Sequence, residues 1–194
     1  MKLKQASILL MALLLSLLLA ACGGADTPAP TEASTQQLSE TFNASEGGIN
    51  LTFNHPQGWM AQSGEGQILL ANSQETLDII GTGPLESLDI PDGGYGMQLV
   101  LLPADQMPPD VSPTELLSML AEGAASEGVT VGTVEEVQVN GQAGAKASVT
   151  LPQDTGEIYL FSSGDYYVMA YAAASTYTDF ADTTQAVVNT VQVQ

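Results

Sequence analysis

An α+β domain, with helices packed on the faces of a central and mostly antiparallel sheet, is what the sequence predicts. Three observations predict it. Short runs of alternating apolar and polar residues recur along the chain, bounded by Gly, Pro and Asn, as half-buried strands require. Asn140-Gly141 lies between two such runs and is the strongest short hairpin signal a sequence carries. Ser112-Pro113-Thr114-Glu115 opens a stretch of helical spacing, with a capping Ser, a Pro suited to the first turn and a Glu three residues on. Strands therefore follow one another with few helices between them, which favours antiparallel pairing.

Element by element, Ile49, Leu51 and Phe53 alternate with polar residues and give a strand. The chain turns at His55-Pro56-Gln57-Gly58 and resumes at Trp59-Met60. Residues 67–71 form a short strand, and Asn72-Ser73-Gln74-Glu75 opens a helical turn through Leu77. Gly81, Gly83, Pro84, Pro91, Gly93 and Gly94 then punctuate a long solvated loop. Residues 95–102 are a strand, 104–111 a loop, and the helix after Ser112 buries Leu116, Leu117, Met119 and Leu120 before fading at residues 126–128. Val129, Val131, Val137 and Val139 share one parity. Beyond the Asn-Gly turn, Ala143, Ala145, Ala147, Val149 and Leu151 share a face, with Lys146, Ser148 and Thr150 opposite. Residues 157–161 and 166–174 form a second hairpin. They are apolar on both faces and so belong at the centre of the sheet. A final helix is expected to start at Ser175 or Thr176 and to pack Phe180, Ala181, Val187 and Val188.

The 194 residues include 22 Asp+Glu, 3 Lys+Arg, one His and one Cys, for a formal charge of −19. This composition excludes an internal disulfide and a Cys-rich metal centre. An acidic chain without Arg is also a poor ligand for nucleic-acid phosphates. Apolar residues make up 44%, enough for a packed core.

Two of the three cations, Lys2 and Lys4, precede an apolar run over residues 8–21. That run is too short to span a bilayer, which needs about 20 residues, and reads as a signal segment. Its end, Leu19-Ala20-Ala21-Cys22, resembles the lipobox of bacterial lipoproteins. The resemblance implies cleavage after Ala21 and attachment of a diacylglycerol to Cys22, which would hold the chain on the outer side of the cell membrane. The expected organisation is a signal segment over 1–21, an acylated Cys and a flexible Gly/Pro/Ser/Thr-rich tether over 22–39, and a single domain over 40–194. Lys146 would be the one Lys or Arg left beside all 22 acids.

The turn Pro56-Gln57-Gly58-Trp59 after a Phe-bearing strand resembles the opening of PsbP-like domains. The later order agrees: helix, strand, the turn before Gly141-Gln142-Ala143, two long strands and a last helix. The resemblance covers roughly residues 42–193 and implies an α/β/α sandwich whose relatives mostly bind partners and are not enzymes. They include photosystem II extrinsic subunits, a Ran-binding protein and many bacterial lipoproteins. The Gly/Pro-rich segment 81–94 departs from that pattern.

The search for chemistry returns little. His55, the only histidine, sits in a turn beside Pro56 and reads as a space-filling residue. No G-x-S-x-G, HExxH or P-loop occurs. Glu135 and Glu136 are adjacent in a strand and point to opposite faces. Asp89 and Asp92, with Glu86 nearby, are the best candidates for calcium, but they lack the order of a calcium-binding loop, so no metal and no cofactor is expected. Tyr159, Phe161, Tyr166, Tyr167, Tyr171, Tyr177 and Phe180 read as core, with a ligand groove between sheet and helix as the alternative. Met60, Met97, Met107, Met119 and Met169 read as gap fillers, and Lys146 as solvent-facing. The expectation is a monomeric, non-catalytic lipoprotein that binds an unknown protein or envelope component and no nucleic acid. The alternative is a carrier of a small ligand or of calcium.

Overall fold

Alternation sets the strands, and their pairing sets the layers. A computed structural model describes residues 36–46, 49–64, 66–85, 88–124 and 129–194. In chain order the strands are β1 (Leu38–Glu46), β2 (Ile49–Pro56), β3 (Met60–Gly64), β4 (Gln67–Ala71), β5 (Tyr95–Pro103), β6 (Thr130–Val131), β7 (Glu135–Val139), β8 (Gln142–Thr150), β9 (Thr155–Ser163), β10 (Tyr166–Ala174) and β11 (Gln192–Val193). The helices among the described residues are α1 (Gln74–Ile80), α2 (Pro113–Ala124) and α3 (Ala181–Val188). Ala21, Cys22 and most of the expected tether lie outside the described residues.

The main sheet has the order β3-β4-β5-β10-β9-β8-β6, with β7 also on β8, and every pair is antiparallel. The expected α+β class with a mostly antiparallel sheet is therefore observed. β10 is central and pairs along its whole length with both β5 and β9, as its two apolar faces predict. One face carries Tyr95, Met97, Leu99, Tyr159, Phe161, Val168 and Ala170, covered by α3 and by a second sheet of order β1-β2-β11. The other carries Leu69, Ala145, Ala147, Val149, Leu160 and Ala173, covered by α1, α2 and the 81–94 segment.

Local chemistry accounts for most boundaries. Asn140 and Gly141 both take positive φ, 49° and 76°, as a tight hairpin turn of the primed type requires. The Ser112 hydroxyl accepts from the Glu115 N–H at 3.2 Å, and a Glu115 carboxylate oxygen accepts from the Ser112 N–H at 3.0 Å, which completes the capping box of α2. The Ser112 N–H, and the Ser112 hydroxyl that donates to the same carboxylate oxygen at 2.8 Å, hold the Glu115 carboxyl below its ordinary range. Gly58, at φ 81°, turns the chain so that Trp59 lands on Tyr95, with ring centroids 4.7 Å apart.

Four expectations need correction. β1 begins at Leu38, two residues before the expected domain start. Its register places Phe42 opposite Phe53, and Leu38, Phe42 and Ala44 pack an otherwise exposed strand against the core. The last helix does not start at Ser175 or Thr176. A single 3-10 turn over Tyr177–Asp179 comes first, and α3 begins at Ala181 with no side-chain cap. α1 continues past Leu77 to Ile80, because the Ser73 hydroxyl caps it and Leu77 and Ile80 are buried. The 81–94 segment is not simply solvated, since Leu85 and Ile90 are buried core residues.

Three polar side chains hold that segment. The Gln98 amide, buried on β5, donates to the carbonyls of Ile80 (3.2 Å) and Gly83 (3.0 Å) and accepts from the Leu85 N–H (3.2 Å). Asn72 donates to the Gly93 carbonyl at 2.8 Å and accepts from the Tyr95 N–H at 2.9 Å. An Asp154 carboxyl oxygen accepts from the Ile90 N–H at 3.2 Å. Each satisfies backbone groups that have no ladder partner.

Candidate functional site

α2 lies across β8 and β9 by its Leu116 and Leu117 stripe. Its later turns stand off the sheet and leave an apolar cleft of about 260 Å³. Leu120 and Ala124 form the roof; Val131, Val149, Ile158, Met169 and Tyr171 form the floor and walls. Among the described residues no charged side chain lines it, so it suits an apolar ligand or side chain. A second cleft of about 240 Å³ opens between β2 and strands β4 and β5, lined by Leu51, Ile68, Leu101 and Tyr166 among others.

Among the described residues, charge and buried hydroxyls concentrate at Lys146. β6 and β7 pair with opposite ends of β8, and the ladder between them is interrupted at residues 132–134. The gap leaves a polar hollow of about 300 Å³ lined by Thr133, Glu135, Lys146, Ser148 and Glu157. Lys146 Nζ lies 3.5 Å from Glu157 Oε1, and the Lys146 side chain is only 29% exposed. The expectation of a solvent-facing lysine is corrected: β7 and the neighbouring Glu157 cover its stem. Glu157 Oε2 also accepts from the Tyr159 hydroxyl (2.5 Å) and the Tyr177 hydroxyl (3.2 Å). Further in, Tyr95 and Thr184 hydroxyls meet at 2.9 Å. Burial drives the Tyr95, Tyr159 and Tyr177 phenols well above their ordinary range, and Glu157 adds to the effect on each. These phenols are donors that stay protonated, and they give the cluster no base. The spacing of Glu157 and Tyr159 on one strand parity, with Lys146 opposite on β8, is the sequence signal that marks it.

The other predicted residues do not converge on one site. His55 is a buried strand residue of β2 and not a turn residue; its Nδ1 lies 3.1 Å from the Pro56 carbonyl and 3.9 Å from Glu40. Pairing with β1 extends β2 through Pro56, which draws the ring inward. Asp89 and Asp92 are both exposed. No group of three His, Cys, Asp or Glu among the described residues is arranged to hold a metal. Glu135 and Glu136 are exposed on β7. Of the late aromatics, Tyr159, Phe161, Tyr177 and Phe180 belong to the core or pack on it, while Tyr171 and Tyr166 line the two apolar clefts. Met97 fills the core, whereas Met60 and Met119 are exposed, Met119 at 53%, and fill no gap. No helix among the described residues is long and apolar enough to cross a membrane.

Comparison with known proteins bears on the fold. No family model matches the chain, and no curated protein matches it. Among solved structures, it is similar to a protein of Bacteroides thetaiotaomicron at 12% identity and a TM-score of 0.37, covering 81% of this chain and 49% of that one. It is also similar to cyanobacterial PsbP from Synechocystis, at 12% identity and a TM-score of 0.51, over 81% of this chain and 95% of that one. At such low identity the likeness concerns architecture, and the architecture of this chain is PsbP-like.

Proposed function

We propose that this protein is a bacterial lipoprotein, anchored through Cys22 on the outer side of the cell membrane, whose PsbP-like domain binds a protein or envelope component without catalysing a reaction. The fold carries this reading: it matches nearly the whole of cyanobacterial PsbP. The engagement of the only histidine inside β2 supports it, since a Ser-His or Cys-His device would need that ring in the open. The excess of acids favours a partner with basic groups over nucleic acid or anionic lipid. A monomeric domain on a flexible tether suits an adaptor.

The test is intact mass of the protein extracted from membranes, with Cys22→Ser beside it. Residues 22–194 plus acyl chains, with both the added mass and the membrane retention lost in the variant, is the expected result. A freely released, unacylated chain would refute the anchor. Envelope pull-downs with the acylated protein then test the binding role.

The apolar cleft under α2 favours a second reading, a small-ligand carrier. A ligand that binds only the native state raises the melting temperature, so thermal shifts with apolar probes, and with calcium for the cation version, separate carrier from adaptor.

A further inference from the structure

Among the described residues, large apolar side chains are exposed at Met60, Met119 and Leu120, and the last two are adjacent on α2. Met119 borders an open groove of about 550 Å³. Pro108, Pro109 and Val111 line one side of it, and Thr114, Ser118 and Met119 the other. The fold fixes both walls. The Tyr167 hydroxyl donates to the Val111 carbonyl at 2.7 Å, and Met107 and Val111 pack on the core cluster of Leu116 and Leu117. The rim is acidic. Asp110 and Glu115 line the groove, and Glu115, Met119 and Glu122 are exposed at helical spacing on one face of α2. At 1.5 Å per residue the two glutamates stand about 10 Å apart along the axis, with Met119 between them. Among the described residues no cation pairs with any of these three acids. Lys146, the one Lys or Arg there, faces the other side of the sheet and pairs with Glu157.

We infer that this groove takes an amphipathic helix of a partner protein, with an apolar residue seated beside Met119 and basic residues on Glu115 and Glu122. The inference rests on the adaptor reading above and names the surface and the chemistry of its partner. Three occupants compete for such a patch, and charge separates them. A second copy would bring its own Glu115 and Glu122 against the same two acids. A bilayer would draw three carboxylates toward its headgroups, and anionic lipids repel them. A basic segment gains from all three acids and covers Met119, which water now touches. The spacing favours a helix: lysines seven residues apart match the span from Glu115 to Glu122, and an apolar residue between them falls on Met119. A strand fits less well, because Pro108 and Pro109 offer it no N–H. Exposed ion pairs are weak, so the apolar contact carries the affinity and the acids carry the selection.

The experiment uses the full-length protein in phosphatidylcholine nanodiscs, with carbon-13 methyl methionine read by NMR. The probe is a helical peptide of Ala and Gln that carries two Lys seven residues apart and one Leu between them. Saturable displacement of the Met119 methyl signal is expected, with Met60, the exposed methionine of β3, unmoved. Met119→Ser should weaken binding about tenfold and Glu122→Gln about threefold. Both side chains are exposed, so the core stays intact, and an unchanged Met97 signal checks this. A peptide of the same composition with its two Lys adjacent should bind about threefold more weakly. No displacement at Met119, equal displacement of Met60, or equal binding of the rearranged peptide overturns the proposal. So does broadening of Met119 by the nanodisc lipid alone, which would assign the surface to the membrane, or by raised protein concentration alone, which would assign it to a second copy. An envelope partner held equally by the Met119→Ser, Glu122→Gln double variant overturns this surface and leaves the adaptor reading standing. The peptide bound as expected, with no envelope partner found, supports the surface and counts against that reading.

Discussion

Replacing Gln98 by Met keeps the length and most of the volume of the side chain and deletes its amide. Three backbone groups then lose their partner: the Leu85 N–H and the carbonyls of Ile80 and Gly83. A neutral hydrogen bond contributes about 1 kcal/mol net, and a buried group left unsatisfied costs about 1–3 kcal/mol. Three groups give about 3–9 kcal/mol if the segment keeps its closed geometry. Opening limits the loss: the segment can lift and let water satisfy the backbone, at the expense of the burial of Leu85 and Ile90, each worth about 1.5–3 kcal/mol. The expected destabilisation is therefore about 3 kcal/mol, read by urea denaturation, with proteolytic nicking confined to residues 81–94. Gln98→Glu provides the control for direction. It keeps the acceptor for Leu85 and turns a negative oxygen on the two carbonyls, so it should be worse than Met at neutral pH and partly recover in acid. A Met variant within about 0.5 kcal/mol of wild type, the scatter of an ordinary surface change, would refute the idea that this side chain holds the segment.

Other predictions follow from packing and charge. Gly156→Ala places a Cβ 2.0 Å from the Ala172 carbonyl oxygen on the central strand, so β9 and β10 must separate. The expected cost is about 3 kcal/mol, the upper end for overpacking, seen as a lower urea midpoint. Tyr95, Tyr159 and Tyr177 should not ionise while the domain is folded. Their raised phenols leave stability intact below about pH 10 and remove it above that value, so an ultraviolet titration should show three of the six tyrosines ionising only with unfolding. Ser112→Ala should destabilise α2, and the effect should shrink in acid. The Glu115 carboxyl is held low by that cap, so its contribution is present above its unfolded value and lost as pH falls.

The parts of the fold that local chemistry dictates were legible in the sequence. Asn140-Gly141 and the Ser112–Glu115 box announce their turn and cap within four residues, and the apolar run over 166–174 announces a central strand. What was not legible depends on partners far along the chain. β1 reads as polar because only Leu38, Phe42 and Ala44 of its nine residues pack on the core, and its strand character comes from β2. β11 is two residues paired with β2 across most of the chain. Gln98 looks like an interruption in an apolar strand, and nothing near it names Ile80, Gly83 and Leu85 as its partners. The ion pair of Lys146 is similar: strand parity gives its face, but the interrupted edge that covers its stem appears only when β6 and β7 are both laid on β8. Leu19-Ala20-Ala21-Cys22 is legible as a motif and lies outside the described residues.

The order of the main sheet has a consequence for how the chain reaches its native state. β3-β4-β5 forms one group and β7-β8-β9-β10 another, most of their links being hairpins between successive strands. A single seam, β5 against β10, joins them. Every hairpin can form from nearby residues, but the seam must bring together segments roughly 60–80 residues apart, for which the length-dependent part of loop closure is about 4 kcal/mol. Nothing repays that entropy until β10 docks along all nine of its residues at once. The slow event in folding should be the zipping of this seam, and side chains that meet across it, such as Met97 and Ala172, should carry the largest share of the transition-state energy.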